Sequence, residues 1–156
     1  MFSVDIPGFG SLMLEHFVSD FSGTLSEDGT LLDGLREKLN ELSGIMQIHI
    51  VTSDTFGKAR DELKGVLCAL HLLDGHDHTM QKELYIRQLG ADSVVSLGNG
   101  NNDVRMLQAS RIGIAVCLKE GCSLEAVKAA RIIVRSPMDA IDLFLCPERL
   151  IATLRQ

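Results

Sequence analysis

The stretch Asp20-Phe21-Ser22-Gly23-Thr24 decides the fold of this chain, because it forms a tight turn at the end of an apolar run. That run, Met13-Leu14-Glu15-His16-Phe17-Val18, predicts a buried strand. An Asp that leaves a strand into a tight Gly-Thr turn is held rigidly at the carboxyl end of the strand. Open α/β sheets place their reactive groups at that edge. The sequence therefore predicts a reactive carboxylate, Asp20, at the carboxyl edge of a sheet.

A second stretch of this kind, Gly98-Asn99-Gly100-Asn101-Asn102-Asp103, lies about eighty residues later. It follows another apolar run and opens a predicted helix. Taken alone, Asp20 is better explained as a turn cap, and Asp103 as the start of a helix, where the dipole favours a carboxylate. Together, at the ends of two predicted parallel strands, they favour a magnesium and phosphate site with Asp20 as nucleophile.

Strands and helices alternate along the rest of the chain. Strands are predicted over 1–6, 12–20, 48–51, 66–72, 93–97, 112–117 and 132–134. Helices are predicted over 33–44, 56–64, 81–89, 102–109, 124–130 and 147–154, with another that begins at Pro137. Asp28-Gly29 predicts a hairpin. The alternation, with continuous apolar strands, predicts a three-layer Rossmann-like α/β fold: a mostly parallel sheet with helices on both faces, in one domain over 1–156.

Composition and charge narrow the classes of protein. A formal net charge of −6 without a basic stripe argues against a nucleic-acid partner. No apolar run approaches the ~20 residues of a membrane span, so a cytoplasmic protein without membrane contact is expected. The four cysteines, which lack a CxxC pair, are expected to be reduced and mostly buried: Cys68, Cys117, Cys122 and Cys146.

The remaining candidate site residues are informative only when they are considered together with Asp20 and Asp103. Thr52 and Ser53 end a predicted strand, where hydroxyl and N–H groups can bind a phosphate oxygen, although an ordinary helix cap explains either one alone. Lys82, near a helix start, can neutralise phosphate or lie on the surface. His76 and His78 lack further metal ligands and are read as a polar loop. His16 and His49, inside strand runs, are expected to be structural.

In this order, the segments resemble the haloacid dehalogenase (HAD) superfamily of phosphotransferases. That family carries Asp-x-Asp-x-Thr, then a Thr or Ser at a strand end, then a Lys, then an acidic Gly-Asp-x-x-x-Asp motif. The matches here are Asp20 to Thr24, Thr52, Lys82 and Gly98 to Asp103. The motifs look like the Asp-Lys-Thr-Gly-Thr, Leu-Thr-Gly-Asp and Gly-Asp-Gly-x-Asn-Asp of P-type ATPases. The chain is thus most similar to the soluble, P-type-ATPase-like phosphatases of the superfamily.

The resemblance implies a role for each matched residue. Asp20 would be the nucleophile, and Thr52, Ser53, Lys82 and Gly23 would bind the phosphoryl group. The implied cofactor is Mg²⁺, and its implied ligands and supporting residues are Asp20, the Ser22 carbonyl, Asp103, Asn99 and Asn102.

Two positions depart from the family pattern. Phosphatases of the family carry a general acid–base Asp two residues after the nucleophile, and this chain has Ser22. General acid–base help is typically worth ~10²–10⁴ in rate. We therefore expect slow turnover, a long-lived aspartyl-phosphate, or a substrate with a good leaving group such as an acyl phosphate. Asn99 stands where an Asp is common, and it should weaken Mg²⁺ binding.

The spacing also predicts open access to the site. About 30 positions separate Asp20 from Thr52, and about 30 separate Thr52 from Lys82, which leaves no room for a cap domain. Capless relatives act on macromolecules or oligomerise. A small phosphorylated substrate and a homo-oligomer such as a tetramer are expected here.

Two other functions stay open at this point. Ser22 and Asn99 are compatible with a phosphate-binding or regulatory module whose hydrolase activity is vestigial. A response-regulator-like receiver has a similar sheet and phospho-Asp, but the motif order and the glycine-rich turn at Gly98 disfavour it.

Overall fold

The computed structural model describes residues 1–156, and its strands and helices alternate along most of the chain. The strands are β1 (Phe2–Ile6), β2 (Gly10–Leu14), β3 (His16–Ser19), β4 (Ser26–Glu27), β5 (Thr30–Leu31), β6 (Gln47–Thr52), β7 (Ala69–Leu72), β8 (Val94–Gly98), β9 (Ile112–Val116) and β10 (Ile132–Val134). The α-helices are α1 (Leu35–Ser43), α2 (Ala59–Glu62), α3 (His78–Leu89), α4 (Val104–Ala109), α5 (Leu124–Ala129), α6 (Pro137–Leu145) and α7 (Pro147–Leu154). Short 3₁₀ turns at Ala91–Ser93 and Asn101–Asp103 precede β8 and α4.

Six strands form one parallel sheet in the order β10-β9-β8-β3-β6-β7. Strand β3 is central and pairs with β6 on one side and β8 on the other. The residues that follow these three neighbouring strands therefore meet at one edge of the sheet. Asp20 follows β3, Thr52 ends β6, and Gly98 ends β8. The sheet confirms the predicted α/β, Rossmann-like class.

Hydrophobic clusters cover both faces of the sheet. On one face, Ile86 of α3 and Met106 of α4 pack against Val18 and Val51 of the strands. The other face is covered by a larger cluster that includes the leucines of α1 and Phe144 of α6. The helices thus lie on both faces, as predicted.

The prediction of one strand over 12–20 was wrong. The run is divided at Glu15 into β2 and β3, and β2 pairs antiparallel with β1 in a separate hairpin. Met13 is 60% exposed, so the first half of the run is not buried on both faces as a central strand would be. An apolar run does not reveal which strand pairs with which, because both strands of the hairpin also contribute buried residues to the core.

Other boundaries differ from the predictions as well. The strand predicted from Val66 begins only at Ala69, and Leu67 is 68% exposed. The helix predicted over 56–64 is only the four-residue α2. Helix α1 begins at Leu35, after its N-cap Gly34 with a φ of 78°, and not at residue 33 as predicted. Helix α3 begins before Gln81, since the Asp77 side chain accepts a hydrogen bond from Met80 N and caps it.

The cysteines also differ from the prediction. Cys117 and Cys122, both half-buried, form a disulfide that closes the loop after β9. Cys68 and Cys146 are free, and they too are half-buried. Two thiols five positions apart on a tight loop meet without a CxxC motif, so sequence spacing alone did not reveal the pair.

No cap domain interrupts the sheet. Between β3 and β6 the chain forms only the β4–β5 hairpin and α1, and between β6 and α3 only α2 and β7. None of the helices combines the length and the apolar character that crossing a membrane requires.

Candidate active site

The three charged residues from the motifs lie together at the carboxyl edge of the sheet. Lys82 Nζ of α3 donates to Asp20 Oδ1 at 2.9 Å and to Asp103 Oδ1 at 2.7 Å. One ammonium group thus joins the carboxylates that follow β3 and β8. We call Asp20, Lys82 and Asp103 the carboxylate–lysine cluster.

Burial makes the electrostatics of this cluster strong. Lys82 is 1% exposed, Asp103 0% and Asp20 6%. Burial and the negative charge of Asp103 together raise the pKa of Asp20 to about 7, against the opposing effect of Lys82. Burial lowers the pKa of Lys82, but the two carboxylates outweigh this and hold it above its ordinary value. The lysine is therefore a fixed positive charge beside the predicted nucleophile.

The turn after β8 orients Asp103. Its Oδ2 accepts from the backbone N–H groups of Asn99 at 2.9 Å and Gly100 at 3.0 Å. A side chain at Gly98 would place its β carbon 2.5 Å from the carboxyl carbon of Asp103, so only glycine fits there. Both oxygens of Asp103 are thus held, and the carboxylate cannot rotate away from Lys82.

The turn after Asp20 is closely packed against the turn after β8. Gly23 has a φ of 76°, and a β carbon there would lie 2.6 Å from Asn99 Nδ2. Thr24 Oγ1 donates to Asn99 Oδ1 at 3.2 Å. Ser22 Oγ is the one buried side-chain polar atom without a hydrogen-bond partner. Asn99 therefore links the two turns, and a buried hydroxyl is left unpaired two residues after Asp20.

Thr52 reaches the same edge from β6 and is 1% exposed. Its Oγ1 accepts from Asp54 N at 3.0 Å, which orients the hydroxyl at the strand end. The neighbouring Ser53 lies outside the cluster, since its hydroxyl contacts only Thr55 Oγ1 at 3.5 Å. The exposed side chain of Asn102 makes no hydrogen bond to the cluster.

The donor set fits a hard, oxygen-preferring cation. Nowhere do three or more His, Cys, Asp or Glu side chains group as metal ligands. Asp20 and Asp103 converge on a single Lys82 nitrogen, so their oxygens border one small space. Mg²⁺ is commonly held by one or two carboxylates together with waters, and this pair matches that pattern. The pair does not match zinc, which is typically held by three or four protein ligands that include His or Cys.

Sequence reasoning missed one group beside this site. Glu120, in the loop after β9, points at the turn after Asp20, and its Oε2 lies 2.7 Å from the position that a Gly23 β carbon would occupy. Glu120 stands outside all four motifs, in a charged Lys-Glu-Gly stretch that has no sequence signal of its own. Only the packing of the β9 loop against the β3 loop reveals it.

The two largest cavities lie elsewhere. One of about 600 Å³ borders His49 and Leu67, and one of about 560 Å³ borders Met13, Asp92 and Arg111. Cavity size often marks a ligand site. Here the converging buried charges are better evidence, because neither cavity is lined by buried Asp, Glu, Lys or Arg side chains.

Comparisons with known proteins agree with this architecture. No protein-family model matches the chain. Solved structures of HAD-family hydrolases and phosphatases match it over most of its length. The chain therefore has the fold of the haloacid dehalogenase hydrolases, as its motifs predicted.

Three similar proteins are specific examples. The cobalt-bound deoxy-D-mannose-octulosonate 8-phosphate phosphatase of Haemophilus influenzae has a TM-score of 0.70 at 12% identity, over 92% of this chain and 94% of that one. The corresponding phosphatase of Moraxella catarrhalis, in complex with magnesium, phosphate and the sugar acid, has a TM-score of 0.64 at 18% identity, over 91% and 94%. An uncharacterized protein of Methanocaldococcus jannaschii is 39% identical over 62 residues, which are 40% of this chain and 67% of that protein.

Proposed function

We propose that this protein is a phosphatase that uses Mg²⁺ and hydrolyses phosphomonoesters or acyl phosphates through an aspartyl-phosphate on Asp20. The observation that carries the proposal is the carboxylate–lysine cluster, in which Lys82 joins Asp20 and Asp103 at the carboxyl edge of neighbouring strands. The fold shared with metal-bound phosphatases adds support.

The proposed reaction has two displacements. An Asp20 carboxylate oxygen attacks phosphorus, and the bond from phosphorus to the leaving oxygen breaks. Water then attacks the same phosphorus, the bond to Asp20 breaks, and inorganic phosphate leaves. Lys82 neutralises charge on the phosphoryl oxygens, and the Thr52 hydroxyl at the end of β6 donates to one of them.

Mg²⁺ would be held by Asp20, Asp103 and the Ser22 carbonyl, with Asn99 and Asn102 in support. When bound, it screens the negative charge of the phosphate from the attacking carboxylate. Asn99 brings one negative charge fewer than an aspartate would, so we expect weaker Mg²⁺ binding than with an aspartate at this position.

Ser22 bears on the rate. A serine at this position cannot donate a proton to the leaving group at neutral pH, and such help is typically worth ~10²–10⁴ in rate. We therefore expect acetyl phosphate, whose leaving group needs little protonation, to be hydrolysed faster than an alkyl phosphomonoester.

The test is phosphate release from alkyl phosphomonoesters, p-nitrophenyl phosphate and acetyl phosphate, with Mg²⁺ and with EDTA. Asp20→Asn should abolish turnover on every compound, because the amide is not a nucleophile. Asp92→Asn is the matched control: it makes the same change at an exposed residue just before β8 and should leave the rate unchanged.

The alternative is a phosphate-binding module with vestigial hydrolase activity, which the unpaired hydroxyl of Ser22 favours. Such a module binds beryllofluoride at Asp20 but releases no phosphate from any compound. Binding without phosphate release would contradict phosphatase activity, but it would support a phosphate-binding site at Asp20.

We further propose a small phosphorylated substrate, a cytoplasmic location and a homo-oligomer such as a tetramer. The open edge of the sheet supports the assembly, since without a cap only a neighbouring copy can cover the site. Light scattering at micromolar concentration tests this, and a monomeric mass would reject it. The Cys117–Cys122 disulfide does not favour the proposed location, since disulfides are rare in the cytosol of most organisms.

A further inference from the structure

The loop between β9 and α5, residues 117–123, is fixed against the turns of the proposed site. The Cys117–Cys122 disulfide joins the beginning of this loop to its end. Asn99 Nδ2 donates to Gly121 O at 3.2 Å, and Ser123 N donates to Asn99 O at 2.8 Å. Asn99 also belongs to the turn that orients Asp103, so the loop cannot shift without disturbing that turn.

Glu120 is the residue that this loop presents to the site. Its Oε2 lies 2.7 Å from the position of a Gly23 β carbon, and its Oε1 accepts from Asp28 N at 3.4 Å. The carboxylate thus spans the turn after Asp20 and the tip of the β4–β5 hairpin. Gly23, with its φ of 76°, leaves the space that the carboxylate occupies. Glu120 itself is exposed, so its carboxylate can be reached from the solvent.

Position 22 and Glu120 complement each other chemically. Ser22 lies two residues after Asp20, where its buried hydroxyl has no partner and no acidic proton to give. The carboxylate missing from the Asp20 turn is thus present on the neighbouring loop, one residue further along that turn. The other charged groups that face it are Glu27, paired with Lys119 at 3.1 Å, and Asp28 on the hairpin.

We propose that Glu120 is the general acid–base group of this phosphatase, which takes over the role that Ser22 cannot fill; this rests on the proposed function. In the first displacement the protonated carboxyl group gives its proton to the leaving oxygen as the bond to phosphorus breaks. In the second, the resulting carboxylate takes a proton from the water whose oxygen attacks phospho-Asp20. Asp20 is released as a carboxylate, phosphate leaves, and Glu120 is again protonated.

The test is Glu120→Gln, which keeps the size and hydrogen bonding of the side chain but cannot transfer a proton. The matched control is Glu125→Gln in α5, an exposed Glu that pairs only with Lys128. For an alkyl phosphomonoester, Glu120→Gln should lower kcat by about 10²-fold, and for acetyl phosphate by less than about threefold, because a good leaving group needs no proton. An equal loss on both compounds, or no loss on either, would overturn the inference.

The pH profile and a second substitution add independent readouts. A group that must be protonated makes kcat for the alkyl ester fall as the pH rises, and Glu120→Gln should remove this fall. Ser22→Asp, added to Glu120→Gln, should restore part of the ester activity. An unchanged pH profile, or a double variant no better than Glu120→Gln, would contradict the assigned role.

The proposed function and this inference fail in different ways. If wild-type turnover does not depend on Asp20, the proposed function is wrong. If turnover depends on Asp20 but the Glu120→Gln variant keeps the wild-type rate on the ester, only the role of Glu120 is wrong. Cys117→Ser with Cys122→Ser, which frees the loop, should lower the ester rate and spare acetyl phosphate as Glu120→Gln does. If the double Cys variant changed the rates on both compounds by the same factor, this would count against the loop as the support of Glu120.

Discussion

Helix α3 supports two polar clusters, one buried and one half-buried, and they differ in charge. Lys82, in its second turn, lies in the carboxylate–lysine cluster at the carboxyl edge of the sheet. Tyr85, one turn further, accompanies a histidine pair toward the amino ends of the strands. Its hydroxyl is 2.9 Å from His49 Nδ1, and His49 Nε2 is 3.1 Å from His16 Nδ1. We call His16, His49 and Tyr85 the histidine–tyrosine chain.

Within the histidine–tyrosine chain, His49 is held neutral. Burial and the nearby His16 together lower the pKa of His49 to about 4. Burial raises the pKa of Tyr85, so its hydroxyl keeps its proton. A neutral imidazole donates at one ring nitrogen and accepts at the other, and these contacts satisfy both nitrogens of His49.

This difference in charge distinguishes a cluster that stabilises the packing from a cluster that can bind a ligand. Both ring nitrogens of His49 already have partners within the histidine–tyrosine chain, so neither is left for a ligand. The carboxylate–lysine cluster sets two carboxyl groups against one ammonium group, so it has capacity for a further cation. Both clusters contain buried titratable groups, and only the unbalanced one lies where three strands end.

The largest expected effect comes from removing the positive charge. Lys82→Met leaves Asp20 and Asp103 buried without their counter-charge. Breaking a buried pair in this way typically costs about 3–5 kcal/mol, so the free energy of unfolding in EDTA at pH 7 should fall by that amount. Phosphatase activity should be lost as well. Urea denaturation followed by circular dichroism measures the loss of stability.

The control for this change is Lys38→Met. Lys38 pairs with Asp142, but the two side chains are 31% and 23% exposed. Partly exposed pairs contribute at most about 1 kcal/mol, so this variant should be nearly as stable as wild type. Equal losses of stability in Lys82→Met and Lys38→Met would show that the carboxylate–lysine cluster depends on its positive charge no more than a partly exposed pair does.

The next effect is a pH dependence that belongs to the histidine–tyrosine chain. The pKa of His49 is about 4 in the folded protein and about 6.5 when unfolded, so between these values the unfolded state binds more protons. Stability is therefore fully present above pH 6.5 and is lost as the pH falls toward 4. We expect a loss of about 1–3 kcal/mol over this window.

His49→Gln should remove this contribution, since glutamine does not titrate. His76→Gln, in the exposed loop before α3, is the matched control and should leave the slope unchanged. Urea midpoints measured at half-unit steps from pH 7 to pH 4 provide the comparison. A slope that survives His49→Gln would assign the acid sensitivity to other groups.

The sequence predicted the motifs better than the contacts between them. Asp20, Thr52 and Asp103 could be placed at strand ends, because an apolar run followed by a polar turn marks the end of a buried strand. Lys82 could not be placed in the same way. As a lysine near a helix start it was better explained as a surface residue, and only the packing of α3 against the sheet buries it.

What the sequence did not predict depends on contacts between distant segments. The division at Glu15 follows from β2 pairing with β1 and not with the main sheet. Glu120 approaches Gly23 only because β9 is the second neighbour of β3, so its loop can reach across the turn after β8. Neither relation has a periodic signal in the residues concerned.

The smallest expected effect tests whether the histidine–tyrosine chain is only a packing element. Tyr85→Phe removes the hydroxyl and leaves His49 Nδ1 without its partner at 2.9 Å. An unpaired buried acceptor or donor costs about 1 kcal/mol or somewhat more, so the free energy of unfolding at pH 7 should fall by about that much. Phosphatase activity should stay within about twofold of wild type, because Lys82, one turn earlier in α3, keeps its contacts with Asp20 and Asp103. A large loss of activity with little loss of stability would instead couple the two clusters through α3, and the separation of packing from chemistry would fail.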